Sequence, residues 1–233
     1  MALLSARRLT RTYRVGDERV VGVSDASLEL EKGEFAVLAG PSGSGKTTLL
    51  NLLGLLDRPD SGELLFEGRD LGSLPEDERA RLRRERLGFV FQQAQLIPVL
   101  TAEENVAMAL WIRDLPEDEC RRRAREALAA VGLAGKEGRR PDQLSGGQRQ
   151  RVAVARAIAG EPALVLADEP TASVDSETAS RLLDLFDELH ARRGISFLFS
   201  SHDPRMIERA ARRIRLTDGR IVSDERVRQE VNG

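Results

Sequence analysis

The sequence predicts an α/β fold: a core with a mostly parallel sheet, an antiparallel β piece at the N-terminus and an inserted helix-rich lobe. Three observations predict it. Short apolar runs bounded by Gly, Pro and Asp alternate with amphipathic helical patterns, the order that gives parallel strands joined by crossover helices. The first third is strand-like, with alternating or continuous apolar residues. A mostly helical block, about residues 93–158, interrupts this pattern and leaves 1–92 and 159–233 as the core of a single domain.

The elements follow in order. "LLSARRLTRTYRV", "RVVGVSDASLEL" and "GEFAVLAG" read as strands, with a hairpin turn at Gly16–Glu18 between the first two. A helix is expected from Lys46 to Leu56, stopped by "DRPDSG", and "GELLFEGRDL" returns to strand. "PEDERARLRRERL" and "PEDECRRRAREALAAVGL" each open with Pro and acids, as helix N-termini do. Between them lie a strand, a loop and a further helix, in "GFVFQQAQLIPVLTAEENVAMALWI". Another helix is expected from Ser145 to about Ala159, then the buried strand "ALVLADEP" and an amphipathic helix closed by Gly194. A second buried strand, "ISFLFSSHD", and a hairpin about Asp218-Gly219 end the pattern.

With 233 residues, 41% hydrophobic and 32% charged, the chain can bury a sizeable core in water. A formal net charge of −2 gives no electrostatic case for nucleic acid, and no such partner is expected. Arginine runs such as "RRRAR" are interleaved with acids and read as solvated helix faces. A lone cysteine, Cys120, fits a reducing compartment. No stretch approaches the ~20 apolar residues of a membrane span, and the first residues lack a secretory pattern. The expectation is a cytoplasmic protein; at a membrane, another chain must supply the spanning part.

"GPSGSGKTT" carries the first chemistry: Gly40, Pro41, Ser42, Gly43, Ser44, Gly45, Lys46, Thr47 and Thr48. It fits G-x-x-x-x-G-K-[ST], lying between an apolar strand and a helix. In such a phosphate loop, backbone N–H groups wrap the β-phosphate and glycines permit the close approach. Lys46 would reach the β- and γ-phosphates, and the Thr47 hydroxyl would ligate Mg²⁺. "ALVLADEP" places Asp168 and Glu169 at the C-terminal end of a buried strand, where open α/β sheets bind ligands. There Asp168 could hold Mg²⁺ and Glu169 could polarise an attacking water. A second anion-binding helix start is written in "LSGGQRQR", where Ser145, Gly146 and Gly147 precede a helical pattern.

Taken together, the loop at Gly40–Thr47, "LSGGQ" and "DEP" resemble, in that order, an ABC-type ATPase built on the P-loop NTPase fold, over Leu3 to about Val222. The resemblance implies ATP and Mg²⁺ as cofactors. It matches Tyr13 to an adenine-stacking aromatic, although a plain sheet aromatic is the alternative. Gln92, rather than its neighbour Gln93, matches the glutamine that joins core to lobe and touches Mg²⁺ and the water. Ser145, Gly146, Gly147 and Gln148 match the signature, Asp175 the acid that crosses a dimer interface, and His202 the switch histidine at the γ-phosphate. Val174 departs from the Leu usual before that acid.

In this family two copies meet head to tail, which would explain the second anion site: it serves the partner's nucleotide. "LTAEENV" and "LADEPT" are similar to the lipoprotein-releasing, macrolide-efflux and cell-division subfamily. That implies a homodimer in the ATP-bound state and a separately encoded transmembrane permease. The ATPase would then be peripheral on the inner face of the cell membrane, and "LIPVL" (Leu96–Leu100) either docks the permease or is lobe core. A soluble ABC ATPase of DNA repair, chromosome organisation or translation is the alternative.

Overall fold

The structure, a computed structural model, describes residues 2–227 and consists of two compact units, Met1–Ala80 with Ser196–Gly233, and Arg81–Ile195. In the first unit, strands β1 (Ala2–Val15) and β2 (Glu18–Glu31) form a long antiparallel hairpin. Gly16 turns it at φ 63°. Strand β4 (Ser61–Phe66) pairs with β1, and β5 (Arg69–Asp70) with β4, giving the order β2-β1-β4-β5. The stretch expected as one strand at "GELLFEGRDL" is therefore a hairpin. Glu67 and Gly68 both take positive φ, 49° and 80°, which reverses the chain.

The other sheet of this unit is the parallel core. Strand β3 (Phe35–Ala39) lies between β8 (Ser196–Ser201) and β9 (Arg212–Thr217), parallel to both. Strand β10 (Arg220–Arg226) returns antiparallel to β9 around Asp218-Gly219, as the D-G signal implies. All six residues of β8 are buried, as expected for a strand covered on both faces. Phe35, Phe197 and Phe199 cluster with ring centroids 4.8–5.9 Å apart. Helix α1 (Lys46–Leu53) stops at Gly54, short of the Leu56 expected. A short helix, α7 (Pro204–Arg209), was not legible as a helical pattern; Asp203 caps it and Pro204 begins it.

In the second unit, strands β6 (Leu87–Val90) and β7 (Leu164–Asp168) run parallel. The chain enters this unit within helix α2 (Glu76–Arg86). Helices α3 (Ala102–Trp111), α4 (Glu117–Ala130) and α5 (Gly146–Ile158) pack on one another. Their buried faces are rich in alanine, joined by Val106 and Leu110 on α3, Leu128 on α4, and Val152 and Ile158 on α5. Helix α6 (Ser176–Arg193) is closed by Gly194 at φ 62°. The arginine run on α4 is a solvated face: Arg121 pairs with Glu117, Arg122 with Glu119 and Glu126, and Arg123 with Glu119. Cys120 points inward, and burial pushes its thiol pKa up, so it is a packing residue.

Arg212 joins β9 to its surroundings. It is 5% exposed and bonds both Asp224, at 2.6–2.7 Å, and Glu34, at 2.9 Å. Its removal would leave the largely buried Glu34 without its principal cation. Arg212→Ala should therefore cost about 3–5 kcal/mol of stability in urea unfolding of the whole chain. A loss below about 1 kcal/mol, the range of an exposed pair, would contradict this.

Candidate functional site

The phosphate loop leaves β3 at Gly40 and returns as α1. Its shape depends on missing side chains. A Cβ on Gly40 would stand 2.2 Å from the Leu216 carbonyl oxygen, and one on Gly45 would stand 2.1 Å from that of Gly22. Gly45 also sits at φ 98° and Gly43 at φ 80°. The Gly219 N–H donates to the Ser44 carbonyl at 2.9 Å, so the β9–β10 turn braces the loop. The Lys46 ammonium donates to the carbonyls of Gly40 (2.8 Å) and Pro41 (3.0 Å), curling back across the loop. Pro41, Ser42, Gly43 and Thr47 are exposed at its mouth.

Two features fit this cradle to an anion. Helix α1 begins without a side-chain cap and without an acid in its first turn, so nothing built in offsets its positive end. The Ser44 hydroxyl oxygen is buried with no hydrogen-bond partner among the described residues.

Tyr13 lies on β1 in the same unit. Its hydroxyl donates to Asp57 at 2.8 Å, and Arg11 lies over its ring, 5.0 Å from the centroid. Gly22 makes room for it: a Cβ there would meet both the Tyr13 ring, at 2.8 Å, and the Thr48 side chain, at 2.9 Å. Tyr13 and Thr48 of the phosphate-loop helix are thus brought together, a contact that sequence reasoning missed. Only the unexplained glycine in "VVGV" signalled it. His202 is exposed directly after β8. The Ser201 hydroxyl accepts the Asp203 N–H (3.0 Å) and fixes the turn at this position. Arg205 holds the Asp203 carboxyl below its ordinary range.

In the second unit, Asp168 ends β7 and Glu169 follows at φ 45°. A left-handed conformation at a non-glycine residue costs of order 1–3 kcal/mol and gathers at functional positions. Gln92 is exposed just beyond β6. The loop it opens is held by α5. Gln150 donates to the Phe91 carbonyl (2.8 Å), and Arg156 donates to those of Ala94 and Gln95 (2.9 Å each). These anchors were also missed, since a buried Gln or Arg on an amphipathic helix has no sequence signature.

The "LIPVL" segment lies at the surface in part: Leu96, Ile97 and Leu100 are half-buried. Val99 is 70% exposed and Pro98 is exposed, while the buried Asn105 side chain binds Ile97, Leu100 and Thr101 backbone from beneath. An open cleft of about 330 Å³ runs beside it, lined by Gln93, Leu96, Gly146, Arg149 and Val174 among others.

Ser145 caps α5, accepting from the Gln148 N–H (3.2 Å), while the Gln148 side chain accepts from the Ser145 N–H (3.1 Å). This reciprocal box uses the third N–H of the helix and leaves those of Gly146 and Gly147 outside the cap. Gln148 is therefore a capping residue here. The two glycines differ. A Cβ on Gly146 would meet nothing closer than 3.9 Å, whereas one on Gly147 would stand 2.2 Å from the Thr178 methyl. The Thr178 hydroxyl donates to Asp175 (2.7 Å), which caps α6 by accepting the Thr178 N–H (2.9 Å). Those two bonds hold the Asp175 carboxyl below its usual range. Through Thr178, the signature and Asp175 are brought together.

A phosphate loop on a parallel strand, a strand-end Asp-Glu pair and a second glycine-bearing helix start define a nucleotide-binding ATPase. The ABC transporter family profile matches residues 23–172, and the chain belongs to that family. It is 44% identical over 221 residues to the lipoprotein-releasing system ATP-binding protein LolD of Bordetella avium, covering 95% of this chain and 96% of that one. It is 43% identical to the macrolide export ATP-binding/permease protein MacB 1/2 of Paracoccus denitrificans, covering 96% of this chain but 33% of that longer protein. The dimeric ATP-binding cassette MJ0796 in a post-hydrolysis state, bound to ADP and Pi, superposes with a TM-score of 0.89 at 39% identity, covering 97% of this chain and 99% of that one. The protein is an ATP-binding, ATP-hydrolysing transporter subunit, and the soluble non-transport alternative is not favoured. Among the described residues no helix is long and apolar enough to cross a membrane.

The unequal glycines give a direct test. Gly147→Ala should lower the thermal unfolding midpoint by several degrees, because Thr178 must move. Gly146→Ala should leave it within about 1 °C. Equal effects would contradict the packing described.

Proposed function

We propose that two copies of this chain close head to tail around ATP, each phosphate loop meeting the signature helix of the other copy. The observation that carries this is the contrast between two helix starts. The α1 start has no side-chain cap, the α5 start opens with two glycines whose N–H groups lie outside its box, and neither has an acid in its first turn, unlike the starts of α3 and α6. Each suits a different side of one polyphosphate. The dimeric state of the MJ0796 cassette supports the arrangement.

In this reading the Lys46 ammonium leaves its loop carbonyls and offsets β/γ-phosphate charge. The Gly40–Thr48 backbone donates to the phosphates, and Tyr13 stacks on adenine. By the family resemblance Thr47, Asp168 and Gln92 would hold Mg²⁺, and the ion would supply neutralisation of phosphate charge. Glu169, in its strained conformation, accepts a proton from the attacking water, and His202 contacts the γ-phosphate. Gly146 and Gly147 N–H groups with Ser145 complete the cradle from the other copy, with Asp175 at the same boundary. Hydrolysis converts one ligand into two mutually repelling anions and loosens the pair, so chemistry becomes opening and closing.

The exposed "LIPVL" surface, anchored through Gln150, Arg156 and Asn105, docks a separately encoded permease at the inner face of the cell membrane. Near full-length similarity to LolD proteins supports this division and, with the similarity to MacB 1/2, a cargo of the lipoprotein or macrolide class.

Glu169→Gln keeps the shape and removes the basic carboxylate. Hydrolysis should fall at least ~10²-fold, and the variant should run as a dimer on gel filtration with ATP and Mg²⁺. Adding Ser145→Arg should return it to monomer while ATP binding stays at the single-variant level. A stable dimer in the double variant would overturn the shared site. Lys46→Ala should abolish turnover and weaken ATP binding, and wild-type turnover there would remove the phosphate-loop assignment.

A further inference from the structure

A hydrogen-bonded group around Tyr13 contains residues that no step above uses: Arg11, Asp57 and Asp60. Strand β1 is irregular here, with register shifts against β2 on both sides of Arg11, immediately before Tyr13. Such a bulge re-aims the side chains that follow it. It also takes the Thr12 N–H to a carboxylate, that of Asp60, at 2.8 Å. Arg11 then bridges two acids, donating from Nε to Asp57 (2.9 Å) and from Nη1 to Asp60 (2.8 Å). Its guanidinium lies 5.0 Å from the Tyr13 ring centroid, within cation–π range. Asp57 accepts the Tyr13 hydroxyl at the far end of the same ring. Both acids belong to "DRPD", the loop that follows α1, and the Asp60 N–H is itself tied to the Thr10 carbonyl at 2.8 Å.

We propose that Arg11, Asp57 and Asp60 are a positioning clamp that aims the Tyr13 ring, and so set the share of ATP affinity that comes from the base rather than the phosphates. The inference rests on Tyr13 as the adenine-stacking residue. A phenol side chain on an exposed strand end has two free torsions. The clamp fixes both: the hydroxyl is tied to Asp57, one ring edge lies against Gly22 and Thr48, and Arg11 lies over the ring. The ring is then pre-oriented, and the base loses less in ordering it on binding. Burial and the Asp57 carboxylate raise the phenol pKa, so it stays a neutral donor to Asp57 at working pH. Because the acids follow α1 and the phosphate loop precedes it, the base contact is built on the same helix as the phosphate contact.

The test separates base from phosphate. Calorimetry measures the Kd of each protein for Mg²⁺-ATP and for Mg²⁺-tripolyphosphate, which has the phosphates and no base. Tyr13→Ala should weaken ATP by about tenfold or more, the size of a lost base–aromatic stack, and leave tripolyphosphate unchanged. Arg11→Ala should weaken ATP by about threefold or more, again with tripolyphosphate unchanged. Arg11→Lys, which keeps the charge but lacks the planar fork that donates from two separate nitrogens and lies over the ring, should fall in the same direction.

The unchanged tripolyphosphate Kd reports an intact phosphate loop, so misfolding cannot imitate this result. If Arg11→Ala and Arg11→Lys keep the wild-type ratio while Tyr13→Ala lowers it, the clamp is wrong and the adenine assignment stands. Equal weakening of both ligands by Arg11→Ala would make Arg11 a fold residue and overturn the clamp. A rise in ATP affinity would mean that Arg11 covers the stacking face, and would overturn it too. If Tyr13→Ala itself leaves the ratio unchanged, the adenine assignment fails and the clamp falls with it.

Discussion

Gly45 sits at φ 98° with the site of its missing Cβ 2.1 Å from the Gly22 carbonyl oxygen, and Gly40 stands in the same relation to Leu216. A phosphate loop binds with its main chain, so main chain must be able to reach both the ligand and the scaffold. Any side chain at these two positions would push the loop away from β2 or β9. The same constraint places Gly219 where its N–H can brace Ser44, and gives Gly22 the space that Tyr13 and Thr48 fill. Four glycines, from the loop, a strand and a turn, thus allow the close backbone approaches around the phosphate loop.

Helix starts supply the second organising rule. The starts of α3 and α6 carry acids, Glu103 and Glu104 on one and the Asp175 cap with Glu177 on the other, which offset the positive helix end. The α1 start has neither cap nor acid, and the α5 start, capped at its third N–H by Ser145, has no acid either. First-turn acids, rather than side-chain caps, therefore separate the α3 and α6 starts from those of α1 and α5. Thr178 adds mechanical coupling: its methyl meets Gly147 and its hydroxyl holds Asp175, so the signature and the start of α6 share one contact.

Much of this was legible in the sequence because the chemistry needs particular residue types at fixed spacing. The glycines and Lys46 of the loop, the acids after an apolar strand, the Ser145 cap and the D-G hairpin all carry local signals. What was not legible depends on long-range geometry. "GELLFEGRDL" folds as a hairpin because Glu67 accepts a left-handed conformation that favours glycine, and no propensity rule singles it out. Arg11 and Asp57 meet across 46 residues, and Gln150 reaches Phe91 across 59. Such pairs are polar residues in amphipathic or turn contexts, where solvation is the ordinary reading. The choice for "LIPVL" between core and surface also needed the fold, since Asn105 holds the segment from beneath and turns Val99 outward.

The central claim is that each ATP is completed by two chains, with Lys46 from one and Ser145 from the other. Complementation tests it most directly. Lys46→Ala and Ser145→Arg proteins should each be inactive alone. In a mixed pair, one site would combine the intact phosphate loop of the Ser145→Arg chain with the intact signature of the Lys46→Ala chain. Mixing the two inactive proteins and measuring phosphate release should therefore restore part of the wild-type turnover. A mixture as inactive as its components, at every ratio, would contradict the account.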